Sequence, residues 1–433
     1  MLKQLALMFK VPDLRKKLFF VLALLAVFRL AAAVPVPGVN HDQLRNFLAG
    51  NQFFGLLNVF SGGVLNNLSI VMLGVGPFIT ASIIMQLVTM ISPRLKEIYQ
   101  EEGEAGRARF NQYTRYLAVP LAVLQAYALL TLLIRQGVMQ HLGLFGYATN
   151  IVVAVAGTLF LMWIGELITE KNIGNGVSLI IFAGIVSRLP TEFQQELSKH
   201  CSTSGAFNCA WGELLTSFLP FIVAGLIVIA GVIIITEGQR NIPVSYAKRV
   251  RGSRMYGGVS THLPLRVNQA GVVPIIFAIS IILFPGLIGS VLAGMANPTL
   301  QSIGRFLVGM LNNPLTYGVI YFVFVFAFTY FYTAVTFDPD SIAENLQKQG
   351  GFVPGIRPGR PTSEFLTHVI NRLTLTGALF LGVMAVLPLI VQNALGIRTI
   401  TLGGTSLLIV VSVVLETMKQ LEAQLVMREY EDI

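Results

Sequence analysis

Charged residues are scarce in this sequence, and their scarcity excludes most soluble proteins. Only 30 Lys and Arg and 21 Asp and Glu occur in 433 residues, which is 12% of the chain and about half the charged share of a soluble domain. Hydrophobic residues make up 54%, the mean hydropathy is +0.71, and several apolar runs approach the roughly 20 residues that a helix needs to cross a bilayer. The composition predicts a polytopic membrane protein whose apolar surface faces lipid.

Cysteine is equally scarce. Cys201 and Cys209 are the only two; they are too few for a disulfide scaffold and have no histidine at zinc-ligand spacing. We expect their loop to lie outside the cytoplasm, where the pair either closes a small disulfide loop or remains two unpaired thiols. No metal site and no cofactor are predicted.

Catalytic motifs are missing as well. No GxxxxGK[ST] phosphate loop is present, and Gly174-Asn175-Gly176 lacks the lysine that such a loop needs. The apolar runs contain no GxS or paired-aspartate motif of an intramembrane protease, and no carboxylate or histidine stands at mid-membrane depth, as in a proton-coupled carrier. The sequence therefore predicts a protein that is not an enzyme.

Ten apolar segments are candidates for membrane spans. They lie within residues 18–34, 73–91, 116–134, 151–168, 177–188, 214–236, 270–292, 317–337, 373–392 and 402–418. The first is not a cleavable signal peptide, because it ends at Pro35-Val36-Pro37 without a small-residue cleavage box and further spans follow. Arg29 is the one basic residue well inside a span, and structural pairing or snorkelling toward the interface explains it.

The distribution of Lys and Arg orients these spans. With ten spans and a cytoplasmic N-terminus, 23 of the 30 basic residues face the cytoplasm and six face outside, which is the excess that cytoplasmic loops carry. Without the short fifth segment the division is 15 against 14. The positive-inside rule therefore supports the fifth span and predicts that both termini are cytoplasmic.

The ten spans divide into an N-terminal half, residues 1–190, and a C-terminal half, residues 191–433. Because each half has five spans, two similar halves would take opposite orientations, as in many transport proteins; no sequence repeat is visible. The two long basic loops, about residues 237–269 and 338–372, belong to the second half. The predicted fold class is an all-α polytopic membrane protein.

A glycine-rich, apolar segment at about residues 55–67 is too short to span the membrane and too apolar for an ordinary loop. Non-helical backbone at membrane depth is tolerated only within protein or a water-filled cavity. The segment is therefore either re-entrant or a helix on the outer interface. The next span carries Thr80, Ser82 and Gln86, whose polar groups need other helices or water around them, although helix packing alone would also account for them.

Eight motifs along nearly the whole chain resemble the SecY family of protein-conducting channel subunits. They are Arg29-Leu30 through Pro35-Val36-Pro37-Gly38, Phe60-Ser61-Gly62-Gly63, Gly74-Val75-Gly76-Pro77 with Ile79 to Gln86, Gly174-Asn175-Gly176-Val177-Ser178, Asn268-Gln269-Ala270-Gly271-Val272-Val273-Pro274, Ala343-Glu344-Asn345-Leu346, Gly350-Gly351-Phe352-Val353-Pro354-Gly355-Ile356-Arg357-Pro358-Gly359, and Gly403-Gly404-Thr405-Ser406. Their order and spacing are those of the family.

The resemblance implies a clam shell of two inverted five-helix halves around an hourglass pore. It implies a pore ring formed by Ile79, Ile83, Ile181, Ile185, Ile276 and Ile409. It implies a plug that includes Gly55, Phe60, Ser61, Gly62, Gly63 and Asn67. It implies a lateral gate between the second and seventh spans, at Thr80, Ser82, Gln86 and Gln269. It also implies motor and ribosome contacts at Arg240, Lys248, Arg249, Arg251 and Arg357.

The ring assignment depends on the resemblance. Ile79 and Ile83, like Ile181 and Ile185, are four residues apart and share a helical face, but such pairs are usually core or lipid-facing residues. One motif departs from the family: relatives tend to have two consecutive basic residues before Ile-Pro, whereas this chain has Arg240-Asn241. Arg357 is therefore expected to be the stronger contact.

The resemblance further implies a function and partners. The chain would translocate unfolded preproteins across the cytoplasmic (inner) membrane and release membrane-protein helices laterally into it. Its partners would be SecE, SecG, the SecA ATPase, the ribosome through rRNA phosphates, signal sequences, nascent chains and membrane lipids. Two other classes remain open: an ion-coupled solute carrier, which would need coupling carboxylates near the midplane, and a non-conducting ribosome anchor, for which the basic loops suffice.

Overall fold

The computed structural model consists mainly of α-helices. It describes residues 11–40, 43–44, 58, 61, 63–100, 102–140, 143–191, 194, 211–246, 249–251, 254–256, 260–295, 297–395 and 404–431. The helices are α1 (Pro12–Ala33), α2 (Gly76–Ile91), α3 (Pro93–Gln100), α4 (Gly103–Arg135), α5 (Leu144–Glu170), α6 (Gly176–Val186), α7 (Trp211–Glu237), α8 (Val273–Ala293), α9 (Pro298–Asn312), α10 (Pro314–Thr336), α11 (Pro339–Lys348), α12 (Arg360–Leu395) and α13 (Gly404–Glu431).

Every apolar segment predicted from the sequence lies on one of these helices. The ten are α1, α2, α4, α5, α6, α7, α8, α10, α12 and α13. Within the described residues, α4, α5, α8, α10 and α12 are each long and apolar enough to cross a membrane. Helices α2 and α3 meet that criterion as a pair, bent by 117° at the break between them, where Pro93 lacks the N–H that would continue the helix.

The short fifth segment forms α6, whose start is fixed by two local features. The Asn175 side chain accepts hydrogen bonds from the backbone N–H groups of Val177 and Ser178, at 3.1 and 3.3 Å, and so caps the helix. A Cβ at Gly176 would overlap the carbonyl oxygen of Gly165 on α5. Glycine therefore allows the two helix backbones to touch.

Buried apolar side chains from all ten of these helices form one continuous cluster, which we call the central cluster. Among its fully buried members are Phe28 of α1, Leu161 of α5, Tyr321 of α10 and Leu408 of α13. The two predicted halves therefore share one core, although much of the outer surface is apolar, as expected where lipid surrounds a protein.

Two small antiparallel sheets, which the sequence analysis did not predict, occupy the basic loops. Their strands are β1 (Gln239–Tyr246), β2 (Arg249–Arg251), β3 (Arg254–Tyr256), β4 (Ser260–Arg266) and β5 (Gly351–Phe352). The larger sheet has the order β4-β1-β5, and β2 pairs with β3. Because β5 comes from the second basic loop, β1 joins the two loops into one unit.

A second, smaller hydrophobic cluster supports this unit. Ile242 and Leu265 of the sheet pack with Val353 and with Leu366 and Val369 of α12. All five are at most 4% exposed. We call the unit formed by β1, β4, β5 and the first turns of α12 the platform; its backbone is held by strand pairing on one side and by apolar packing on the other.

Candidate functional site

The six predicted ring isoleucines are all buried, and all belong to the central cluster. They are Ile79 and Ile83 of α2, Ile181 and Ile185 of α6, Ile276 of α8 and Ile409 of α13. None is more than 5% exposed. Two helices from each predicted half thus contribute branched aliphatic side chains that are stiff at χ1, which is the composition required of an apolar constriction.

The structure describes part of the predicted plug. Ser61, Gly63 and Asn67 are described, whereas Gly55, Phe60 and Gly62 lie outside the described residues. Residues Val64–Asn67 form a single 3₁₀ turn. Gly63 enters the turn in the left-handed region, with φ +79°, and its N–H donates to the carbonyl oxygen of Asn58 at 2.7 Å.

This 3₁₀ turn, which we call the plug turn, is mostly buried in the protein. Val64, Leu65 and Leu68 are at most 2% exposed and belong to the central cluster, whereas Asn67 is exposed. The described part of residues 55–67 is therefore a turn packed into the protein core, and its re-entrant placement in the membrane stays a prediction.

Gly74 allows the predicted plug, about residues 55–67 and called the plug segment below, to approach the start of α2 closely. Its φ is +59°, and an added Cβ would lie 2.8 Å from both the Cα and the carbonyl oxygen of Ser61. These contacts are to backbone atoms, which cannot move aside as a flexible side chain can. Glycine therefore satisfies both the left-handed conformation and the close approach at this position.

The predicted gate residues on α2 are hydrogen-bonded within their own helix. Thr80 Oγ1 donates to the carbonyl oxygen of Gly76 at 3.0 Å, and Gln86 Nε2 donates to Ser82 Oγ at 3.3 Å. Gln269 lies elsewhere, half-buried in the turn before α8. Three of the four predicted gate residues thus lie on α2, and the fourth precedes α8, a helix that packs against α2.

A small cavity joins the plug segment to three helices. It has a volume of about 30 Å³ and contains polar groups from Ser61, Thr80 of α2, Gln125 of α4 and Ser280 of α8, enough space for about one or two water molecules. The sequence analysis missed Gln125 and Ser280. Each is an isolated polar residue in an apolar run, which is the same signal that identified Thr80, so the sequence contained the information.

An apolar cleft continues along the seam between α4 and α8. Its volume is about 250 Å³, and it is lined by Leu124, Gln125, Tyr127, Ala128, Phe284, Leu287, Ile288, Val291 and Leu292. Leu124 and Ile288 are 60% and 46% exposed. The seam between the two helices therefore has a small cavity with a few polar groups, and an apolar cleft that extends from it toward the C-terminal end of α8.

The platform presents the predicted contact residues Arg240 and Arg357 to solvent. Arg240 is an exposed residue of β1, opposite Leu265 of β4. Arg357 is exposed in a tight turn between Gly355 and Gly359, whose φ angles are +85° and +95°, and its carbonyl oxygen accepts from Thr362 Oγ1 at 2.8 Å.

The other predicted contact residues lie beyond the larger sheet. Arg249 and Arg251 belong to β2, and Lys248 lies outside the described residues.

Sequence comparisons identify relatives over nearly the full chain. The SecY family model matches residues 69–418. The protein translocase subunit SecY of Mycobacterium bovis is 44% identical over 439 residues, covering 97% of this chain and 96% of that protein. The protein translocase subunit SecY of Streptomyces galbus is 42% identical over 446 residues, covering 100% and 99%.

Solved structures show the same fold at low sequence identity. A structure of a protein conducting channel matches with a TM-score of 0.62 and 19% identity, covering 94% of this chain and 91% of that one. Sec61 in the canine ribosome-channel complex from the endoplasmic reticulum matches with a TM-score of 0.61 and 18% identity, covering 94% and 91%.

The family model covers most of this sequence, and the curated relatives extend over almost all of it at more than 40% identity. Together with the helical fold and the buried isoleucines, plug turn and platform, these matches lead to one conclusion: this chain belongs to the SecY family, which is a family of protein-conducting channels and not of enzymes.

Proposed function

We propose that this chain is the channel subunit of a bacterial protein translocase, which conducts unfolded preproteins across the cytoplasmic membrane and releases apolar helices sideways into lipid. One observation supports this proposal above the others. The plug turn, the six ring isoleucines and the two helices of the predicted gate all contribute to the central cluster. A single buried core therefore contains every part that a closed conducting channel needs.

Apolar packing of the plug turn and the ring accounts for the seal of the closed pore. Val64 and Leu65 of the plug turn share the central cluster with the ring isoleucines, and an apolar constriction excludes a continuous water column. Individual apolar contacts are weak. A ligand that binds the open state better can therefore shift the equilibrium, and an apolar signal sequence at the seam of α8 with α2 and α4 is such a ligand.

The proposal includes ten spans in two inverted halves, residues 1–190 and 191–433, with the platform in the cytoplasm. The ten apolar helices and the division of basic residues support it. The platform presents Arg240 and Arg357, and β2 of the neighbouring small sheet carries Arg249 and Arg251; their positive charges suit rRNA phosphates and acidic protein surfaces. We propose the ribosome and SecA as its partners, with SecE and SecG completing the membrane complex.

The orientation predicts how two thiols react. Cys201 and Cys209 lie outside the described residues, in the loop that we place outside the cytoplasm. An impermeant maleimide added to intact spheroplasts after reduction should label both. Labelling only after the membrane is broken would contradict the orientation, and full labelling without a reductant would show that the two thiols are not bridged.

The close approach of Gly74 to the Ser61 backbone, which we call the plug seat, predicts a channel variant that leaks ions. Gly74→Ala should push the Ser61 backbone away from α2 and raise ion conductance in planar bilayers, because a Cβ at Gly74 has no room. Gly38→Ala is the matched control: Gly38 also has a positive φ, +86°, but nothing lies within 4 Å of its Cβ position. Both variants carry a backbone strain of about 1–2 kcal/mol, so equal conductance in both would contradict the plug seat.

Transport by the reconstituted complex tests the proposed function against its alternatives. Proteoliposomes that contain this chain with its partner subunits, supplied with a motor, ATP and a preprotein, should protect the preprotein from external protease. A solute carrier would instead need an ion gradient, and an anchor would bind ribosomes without protecting any preprotein.

A further inference from the structure

The C-terminal ends of α4 and α8 meet in a contact that is separate from the cavity and the cleft described above. Both helices run in the same direction: Gln125 and Leu287 share the middle of the seam, and the helices end at Arg135 and Ala293 respectively. Helix α8 starts after strand β4 of the platform, so these two C-termini lie at the opposite end of the bundle.

At that end, Arg135 of α4 lies directly on Gly294, the C-cap residue of α8. A Cβ at Gly294 would overlap Nη1 of Arg135 and would lie 2.7 Å from its Cζ and 3.1 Å from its Cδ. The guanidinium therefore occupies the space that any side chain at position 294 would need. Neither the cavity nor the cleft includes this contact.

The positive charge of Arg135 makes its contact with the end of α8 favourable. The C-terminus of a helix carries a partial negative charge from its unsatisfied carbonyl groups, and a cation in the last turn is favourable there. Two parallel helices that end side by side bring two such negative ends together. Arg135 is in the last turn of α4 and lies against Gly294, the C-cap of α8, so one guanidinium is close to both helix ends only while the helices stay adjacent.

We propose that Arg135 latches the outer edge of the lateral gate and thereby sets how strong a signal sequence must be to open it. This inference rests on the proposed function, in which α8 separates from α2 and α4. Arg135 remains at the end of α4 in both states, whereas its contact with Gly294 is lost when the helices part, so only the closed state has this contact. Weakening the latch shifts the gate toward the open state without changing the signal-binding seam.

Two substitutions remove the latch from opposite sides. Arg135→Gln removes the charge, and Gly294→Ala expels the guanidinium while leaving the charge present. Alanine is conformationally allowed because φ of Gly294 is −96°. In proteoliposomes with the complete translocase, both should raise transport of a preprotein with a weakened signal sequence by roughly twofold to fivefold, the range for losing one cation at one helix end, that of α8. Transport of the intact preprotein should stay within about twofold of the parent, since the signal-binding seam is unchanged.

The controls separate the latch from a general effect of charge. Arg135→Lys keeps the cation and should restore most of the stringency, meaning the preference for an intact over a weakened signal sequence. Arg305→Gln removes an exposed arginine of the adjacent helix α9 and should leave stringency unchanged. If Arg135→Gln and Gly294→Ala both match the parent while a ring variant relaxes stringency, the latch is wrong and the channel stands. If the parent complex fails to transport even the intact preprotein, the channel proposal itself fails.

A distance measurement tests the latch without transport. Spin labels at Leu124 and Ile288, two exposed positions of the cleft, report the separation of α4 from α8, once Cys201 and Cys209 are replaced by serine. The parent should give a narrow distance distribution, and Arg135→Gln should add a longer component. Superimposable distributions for the two proteins would overturn the proposal.

Discussion

Replacing Ile79 and Ile276 together with asparagine is expected to turn a sealed channel into one that conducts ions at rest and accepts poor signal sequences. The two residues come from opposite predicted halves of the chain and are each 5% exposed in the central cluster. An asparagine left without hydrogen-bond partners at such a site costs about 1–3 kcal/mol. Two of them therefore shift the balance toward a hydrated constriction by roughly thirtyfold or more.

Planar-bilayer conductance and transport of a preprotein with a weakened signal measure the two parts of this result. Ile164 and Ile168 of α5 are the matched control, because they are equally buried in the same cluster but outside the predicted ring. Asparagine at both should reduce the amount of folded protein without any gain in conductance. An ion-tight, stringent ring variant would show that Ile79 and Ile276 are ordinary packing residues.

Arg357→Glu is expected to abolish transport driven by SecA or by the ribosome, while the protein still inserts and folds. The turn that holds Arg357 is fixed by Gly355, Gly359 and the Thr362 hydrogen bond, so its guanidinium is presented in one place as a bidentate donor. Reversing its charge replaces attraction to phosphates or carboxylates with repulsion. The exposed side chain has no role in the platform core, so stability should change little.

Arg360→Glu provides the comparison for this variant. Arg360 lies three residues away, is 88% exposed and pairs with Glu364 at 3.3 Å. The same charge reversal there should retain most transport, measured as protease-protected preprotein per folded channel. Near-normal transport by Arg357→Glu would show that Arg357 makes no essential contact. Equal loss in both variants would show only a general effect of positive charge.

The apolar runs predicted the helices well, because a chain in lipid must satisfy its backbone within each span. Even the short α6 could be predicted, because Lys and Arg divide unevenly between the two sides of the membrane only if residues 177–188 form a span. The plug segment was also visible as a run too short to span and too apolar to be exposed. These features depend on local composition, which a sequence displays directly.

Features that depend on contacts between distant residues were not predicted. The sheet was missed because β1 needs β5, more than a hundred residues away, to complete its pairing, and its charged residues resemble an ordinary basic loop. Arg135 and Gly294 have no sequence pattern in common, so only the fold reveals their contact.

The most direct test of the account is whether a preprotein in transit touches the isoleucine ring. A photoreactive phenylalanine analogue placed at position 276, in the complete translocase stalled on a preprotein, should crosslink to the translocating chain. The same analogue at position 164, buried in the central cluster but outside the ring, should not. Crosslinking at 276 alone is the predicted result; no crosslink at 276 while the preprotein is protected from protease, or equal crosslinking at both positions, would contradict it.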